Sequence, residues 1–271
     1  MTEPGVEPPA SQPAAQPAAQ PALQPAAGPA AGPASQPDSQ RALVVTAHPD
    51  DVDFGSAGTV ASWVDQGWTV TYCVCTDGDA GGFDPDVPRS KIRGIRQAEQ
   101  RAAAAELGVT DVRFLGYADG ALEVSPALVR DIVRAIRDTR PERVLMPSPE
   151  RDWTRIARSH PDHLAAGEAT IRAIYPAAQN PFAFPELLAD EGLDAWKVPE
   201  TWVVGHPNPD RFVDITDTFD RKIAALRRHQ SQTSHMTELE DRLRGWSTAM
   251  AVTAGLPEGR LVEAYNVFLT G

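Results

Sequence analysis

The chain has 271 residues, 37 acidic against 25 basic, and a formal net charge of −12. That length suits one or two domains, and without a run of about 20 apolar residues no membrane-spanning helix is expected. The acidic balance disfavours nucleic acid and anionic membranes, which attract basic patches, and leaves small neutral or cationic molecules as partners.

Residues 1 to about 40 differ in composition from the rest. Pro13, Pro17, Pro21, Pro25, Pro29, Pro33 and Pro37 recur at every fourth position among alanine and glutamine. Proline at that spacing forbids helix, and the side chains are too small to build a core, so a disordered tail is expected. The segment lacks the basic and continuously apolar parts of a secretory leader, and a cytoplasmic location is expected.

From Arg41 strands and helices alternate. Ala42 to Thr46 reads as a buried strand, Ser56 to Gln66 as a helix stopped by Gly67, and Trp68 to Cys75 as a second strand. Cys73 and Cys75 lie two apart, hence on one face of that strand, where they read as core filling rather than as a metal site. Lys91 to Leu107 has helical spacing, Val112 to Leu115 reads as a short strand, and Pro126 to Thr139 as a helix with proline in its first turn. Val144 to Met146 is the next strand, and Leu164 to Tyr175 the next helix. Thr201 to Val204 reads as a strand and Thr218 to His229 as a helix, where His229 is read as a cation at the negative helix end. The alternation predicts an α/β, Rossmann-like, mostly parallel sheet flanked by helices on both faces. Residues 41–271 are read as one domain behind the 1–40 tail.

In such sheets sites form at the carboxyl ends of strands. Three loops qualify: those after Thr46, Cys75 and Met146. The first carries Ala47-His48-Pro49-Asp50-Asp51 and the third leads to His160-Pro161-Asp162-His163. His160 and His163, three apart on a helical turn, share a face, and His48 and Asp51 have the same separation. A catalytic zinc takes three protein ligands and keeps one position for water, whose pKa it lowers to about 7. A spare carboxylate then serves as proton acceptor and a spare histidine as oxyanion donor. The acidic, glycine-rich stretch Thr76 to Gly82 reads as a site rim rather than a phosphate cradle, and no dinucleotide fingerprint follows the first strand.

The paired motifs resemble the PIG-L (LmbE-like) N-acetylglucosaminyl deacetylases. The likeness continues through Gly58-Thr59, Thr76 to Gly81, Arg96-Gln97-Ala98-Glu99, Leu115 to Gly120, Val213-Asp214-Ile215 and His229-Gln230-Ser231-Gln232. The resemblance implies His48, Asp51 and His163 as metal ligands, Asp50 as general base, His160 as oxyanion stabiliser or acid, and Asp162 as the group orienting a histidine. It aligns Arg96 and Asp119 with sugar-contacting positions. Two departures stand out: Val52 followed by Asp53 where many members have glutamate, and Arg158 where mycothiol-pathway relatives have a tyrosine. Arg158 and His206 are further candidates for the substrate mouth, and Trp153 for stacking on a sugar ring.

The expected activity is metal-dependent hydrolysis of an N-acetyl amide on an N-acetylglucosamine-type sugar conjugate, with Zn2+ as cofactor and Fe2+ an alternative that suits the same ligands. The expected partner is this small N-acylated sugar or amine, with neither nucleic acid nor membrane; a homo-oligomer is compatible with the sequence. Rival readings are an amidase or deacylase acting on thiol conjugates or secondary metabolites, an iron(II) oxygenase, and a non-catalytic sugar-binding module.

Overall fold

The computed structural model describes residues 40–82, 84 and 86–270, together with the backbone of residues 22–24. Within the segment expected as a disordered tail, Ala22–Gln24 is placed as a short strand, β1; the rest of residues 1–39 lies outside the described residues.

The sheet is built on β2 (Arg41–Thr46), an uninterrupted apolar strand whose side chains leave it alternately on two faces. Ala42 and Val44 enter one core, and Leu43 and Val45 the other. The chain continues through α1 (Asp51–Asp65), β3 (Thr69–Thr76), α2 (Arg89–Glu106), β4 (Asp111–Tyr117), α3 (Pro126–Thr139) and β5 (Arg143–Pro147). It then forms α4 (Pro161–Arg172), α5 (Pro185–Ala189), β6 (Glu200–Val204), β7 (Arg211–Asp214), α6 (Phe219–Arg228), α7 (Gln230–Thr233), α8 (Leu239–Thr253) and β8 (Val262–Leu269).

The eight strands are ordered β1-β7-β8-β6-β5-β2-β3-β4. From β2 to β4 the chain steps outward to one side; it then returns to the other side of β2 to lay down β5 and β6, all of these pairs being parallel. Helices α1, α2, α6 and α8 cover one face and α3 and α4 the other. Because the strand order reverses between β2 and β5, a crevice opens at their carboxyl ends. Both His-Asp motifs border it.

Local signals account for several helix starts. Ser125 accepts the Leu128 amide at 3.1 Å ahead of Pro126, a capped entry with proline at the first helical position. Helix α1 opens at Asp51 rather than at Ser56, so the first motif runs straight into it. Its first turn carries Asp51 and Asp53, favoured at a positive helix end, but these polar residues hide the turn from an apolar pattern. Cys73 and Cys75 are free and buried, facing α3 among the core side chains as expected. Burial pushes the Cys73 thiol up to about 12, which keeps it protonated and inert. Among the described residues no helix is long and apolar enough to cross a membrane.

Strand β8 lies antiparallel between β6 and β7. It carries the buried Glu263, whose carboxylate accepts the Gly58 and Thr59 amides of α1 at 3.1 and 2.8 Å and the Lys222 ammonium at 2.6 Å. Lys222 also donates to the Phe54 carbonyl at 2.7 Å. Phe54 and Gly58, whose carbonyl and amide stand four residues apart in α1, are thus both bonded to one buried ion pair. Gly58 also lets Ile215 pack against the same turn, since a Cβ there would meet the Ile215 side chain at 2.7 Å. Lys222→Met, which leaves Glu263 charged and short of its cation, is expected to cost about 3–5 kcal/mol in a denaturant titration.

Candidate metal centre

Four strand ends meet at the crevice. The β2 loop supplies His48 and Asp50, with Asp51 on the first turn of α1. The β3 loop supplies the 76–82 rim, the β4 loop Asp119, and the segment after β5 His160, Asp162 and His163. Asp119 therefore adds a fourth strand end to the three loops marked by the sequence.

His48 is held between two sets of partners. Its Nε2 lies 3.1 Å from both Asp162 Oδ2 and Asp119 Oδ1, so this nitrogen carries the proton. Asp162 is anchored in turn by the Gly120 and Leu122 amides at 2.8 and 3.3 Å. The other nitrogen, Nδ1, faces Asp51 Oδ2 at 3.5 Å and His163 Nε2 at 3.3 Å, while His163 Nε2 lies 3.0 Å from Asp51 Oδ1. Ligands about 2.1 Å from a tetrahedral zinc stand roughly 3.4 Å apart, so His48 Nδ1, His163 Nε2 and the Asp51 carboxylate have the spacing of a shared cation site.

Two other triplets, His48/His160/His163 and His48/Asp119/Asp162, also bring one donor each within 4.8 Å of one another. Both include donors that are already engaged. His160 Nδ1 already accepts the Asp162 amide at 3.2 Å, and the Asp162 oxygens are taken by His48 and two backbone amides. A carboxylate on the far nitrogen of a ligating histidine is the usual arrangement that aims the ring.

The same carboxylates set the charge of the site. Burial would lower the His48 pKa, but the Asp119 and Asp51 carboxylates outweigh it and raise it to about 11. Burial likewise opposes and Asp51 restores charge on His163, whose pKa is raised. Burial would raise the Asp51 pKa, yet the two histidines hold it well below the usual carboxylate range. The pocket's carboxylates thus draw in positive charge, and its donor set fits a divalent cation.

Asp50 sits at the cap of α1 in the left-handed region, with φ 88°. Its amide donates to Gln100 Oε1 at 2.7 Å, and its Oδ2 accepts Arg96 Nη2 at 2.8 Å. Burial raises its pKa to about 6 against the pull of Arg96. Arg96, aligned by resemblance with a sugar-contacting position, lies behind Asp50, buried and bonded also to the Pro49 and Gly78 carbonyls. The 76–82 loop wraps this guanidinium: a Cβ at Gly78 would meet Arg96 Nη1 at 2.6 Å, and one at Gly81 would come closer still. Asp77 receives Gln97 at 2.6 Å and Arg93 at 2.9 Å, while Arg89 forks onto Asp79 with two bonds of 3.0 Å. The separated motifs interlock as well, because Glu99 accepts the amide and hydroxyl of Ser231 at 2.8 and 2.6 Å.

The remaining candidates lie farther out. Arg158 is exposed on a short turn, Ile156–Arg158, and its side chain makes no hydrogen bond or ion pair among the described residues. His206 stands after β6, bonded to the Asn208 amide at 3.2 Å and 3.5 Å from Glu150. Trp153 is 81% exposed on the loop after β5, with the Arg151 guanidinium 5.6 Å from its ring.

His229 sits at the end of α6, as expected, but not at the surface. It is fully buried, with Nε2 2.8 Å from Asp53 Oδ2. Burial would lower its pKa, but Asp53 raises it. The polar sequence around it carries no sign of that burial; only its place in a family motif set it apart.

A Rossmann-like sheet with this His-Asp crevice at its switch point defines a class, and the comparisons agree with it. Residues 43–174 match the family model PIG-L, described as GlcNAc-PI de-N-acetylase. The chain belongs to this family. It is 34% identical over 193 residues to diacetylchitobiose deacetylase from Thermococcus kodakarensis, covering 71% of this chain and 70% of that one. It is also 34% identical over 206 residues to a probable N-acetyl-alpha-D-glucosaminyl L-malate deacetylase 2 from Bacillus cereus, covering 73% and 86%. The solved N,N'-diacetylchitobiose deacetylase from Pyrococcus horikoshii superposes with a TM-score of 0.77 at 29% identity, over 85% of this chain and 84% of that chain.

The wrapped guanidinium yields a paired prediction. Gly78→Ala, at φ +63° and against Arg96, is expected to destabilise by about 1–3 kcal/mol in denaturant titration. Gly94→Ala, in α2 with open space around it, is expected to stabilise by about 0.5–1 kcal/mol.

Proposed function

We propose that this protein is a metal-dependent N-deacetylase, removing acetate from the amide of an N-acetylglucosamine-type sugar conjugate, with residues 41–271 as the deacetylase domain. The observation that carries the reading is the convergence of His48 Nδ1, His163 Nε2 and Asp51 at 3.0–3.5 Å, with a proton-bearing Nε2 of His48 on Asp162 behind them. His48, Asp51 and His163 would hold the ion, taken to be zinc, and Asp162 would aim the His48 ring. When bound, such an ion polarises the amide carbonyl and acidifies water.

The chain's own residues divide the rest of the work. Asp50, raised to about 6 and steadied by Arg96, is suited to accept the proton of the attacking water and deliver it to the departing amine nitrogen. The C–N bond breaks, giving acetate and a free amine. His160 accepts the Asp162 amide on Nδ1, which leaves its proton on Nε2. As an N–H donor it suits stabilisation of the developing oxyanion. Arg96 acts here through Asp50 and not on the sugar. Asp119, on the same nitrogen of His48 as Asp162, has one side towards the ring and the other towards the 76–82 loop through the Ala80 amide at 3.1 Å.

The test is acetate and amine release from N-acetylglucosamine, N,N'-diacetylchitobiose and an N-acetylglucosaminyl malate, with metal content measured on the same sample. Chelation is expected to abolish release and Zn2+ to restore it; activity that survives full chelation sinks the proposal, and recovery with Fe2+ alone changes the metal. Asp50→Ala is expected to lower kcat by about 10²- to 10⁴-fold while retaining metal. Asp162→Asn is expected to weaken metal affinity by about 10- to 100-fold in calorimetric titration.

A further inference from the structure

Beneath the candidate centre runs a buried polar chain that no step described above employs. His229 and Asp53, both 0% exposed, form an ion pair of 2.8 Å. The same Asp53 oxygen accepts Gln100 Nε2 at 2.8 Å, and Gln100 Oε1 accepts the Asp50 amide at 2.7 Å. The chain is directional. Gln100 has its NH2 on a carboxylate and its oxygen on an amide N–H; reversed, it would set oxygen against carboxylate and NH2 against N–H. Asp53 therefore fixes the orientation of Gln100, and the His229 proton holds Asp53 in place.

The far end of this chain bears on a strained residue. Asp50 is one of three non-glycine residues with positive φ among those described, and a conformation that disfavours a side chain persists only where neighbours hold it. The Asp53 and Phe54 amides of α1 take its carbonyl, and two side chains hold the rest: Gln100 on its amide, and Arg96 on the Pro49 carbonyl and the Asp50 carboxylate. Stability alone is a weak reason for a buried ion pair, since its desolvation offsets most of its attraction and apolar side chains of similar volume serve as well. Asp53 Oδ1 and His229 Nδ1 add to that cost, having no hydrogen-bond partner among the described residues.

We propose that His229 and Asp53 are positioning residues for Asp50, acting through Gln100 to set the backbone from which its carboxylate projects. Neither side chain is hydrogen-bonded to the donor atoms of the centre, and His229 also acts on the Asp50 carboxylate through its charge. The proposal rests on Asp50 as the base. It assigns function to the departure at Asp53 and to a histidine 176 residues away in the chain.

The test is a set of variants assayed for amine release, metal content and thermal unfolding. His229→Leu and Gln100→Leu are expected to lower kcat by about 10- to 100-fold, the scale of a small misplacement of a reacting group, with KM and bound metal unchanged. His229→Gln, which can present an N–H near the same point, is expected to recover most of the loss. On an Asp50→Ala background His229→Leu should cause no further loss, because the group being positioned is gone. Full kcat in Gln100→Leu overturns the proposal, as does an equal loss from His229→Leu with and without Asp50, or a loss that follows metal content. If His229→Leu does not fold, Gln100→Leu leaves the ion pair intact and decides the question. Failure of the base assignment reads differently: Asp50→Ala itself would retain the wild-type rate.

Discussion

Four carboxylates, those of Asp50, Asp51, Asp119 and Asp162, are gathered at the mouth of one crevice, and Arg96 is the permanent cation bonded among them. This imbalance organises the surrounding structure. Each acid is satisfied from a different direction: Asp162 by backbone amides and His48, Asp119 by His48 and Ala80, Asp50 by Arg96, and Asp51 by the His48 amide and the two histidines. The loops from four strand ends are thereby drawn together. The two histidines whose nitrogens face Asp51 remain as the place where further positive charge can enter.

The sheet's contribution is placement. Parallel strands with helices on both faces end their backbone hydrogen bonding at one side, and the reversal of order between β2 and β5 leaves nothing bridging that gap. A residue just past β2 and the helix that follows residues 148–160 after β5 consequently face each other across it. The glycines of the 76–82 segment then let backbone carbonyls close over Arg96, which a side chain at Gly78 or Gly81 would prevent.

How much of this was readable from the chain depends on how local the information is. The apolar run of β2, the capped entry of α3 and the His-Asp motifs each lie within a few residues, so strand ends and candidate ligands could be located together. Arg96 and Asp119 stand out by likeness alone, and nothing near them in sequence tells that Arg96 bonds Asp50 or that Asp119 bonds His48. The start of α1 was obscured because Asp51 and Asp53 are polar and yet packed inward. Strand β8 and helix α8 carried no clear period, and Glu263 in particular looks like a surface residue until Lys222 is seen beside it. The pairing of His229 with Asp53 depends wholly on tertiary structure, because no local spacing relates residues so far apart.

The bond between Glu263 and the middle of α1 also carries a temporal consequence. The helix that bears Asp51 is made well before the carboxylate that accepts its Gly58 and Thr59 amides, which lies 205 and 204 residues further along the chain. Strand β8 must also slide between β6 and β7, which have no other partner across that gap. A growing chain can therefore assemble β2 to β5 and bring the two motifs near one another while α1 still lacks its final fastening. Completion of the crevice is coupled to β8, so a nascent chain that has not yet reached this strand would be left with the ligands nearby and the helix beneath them unsecured.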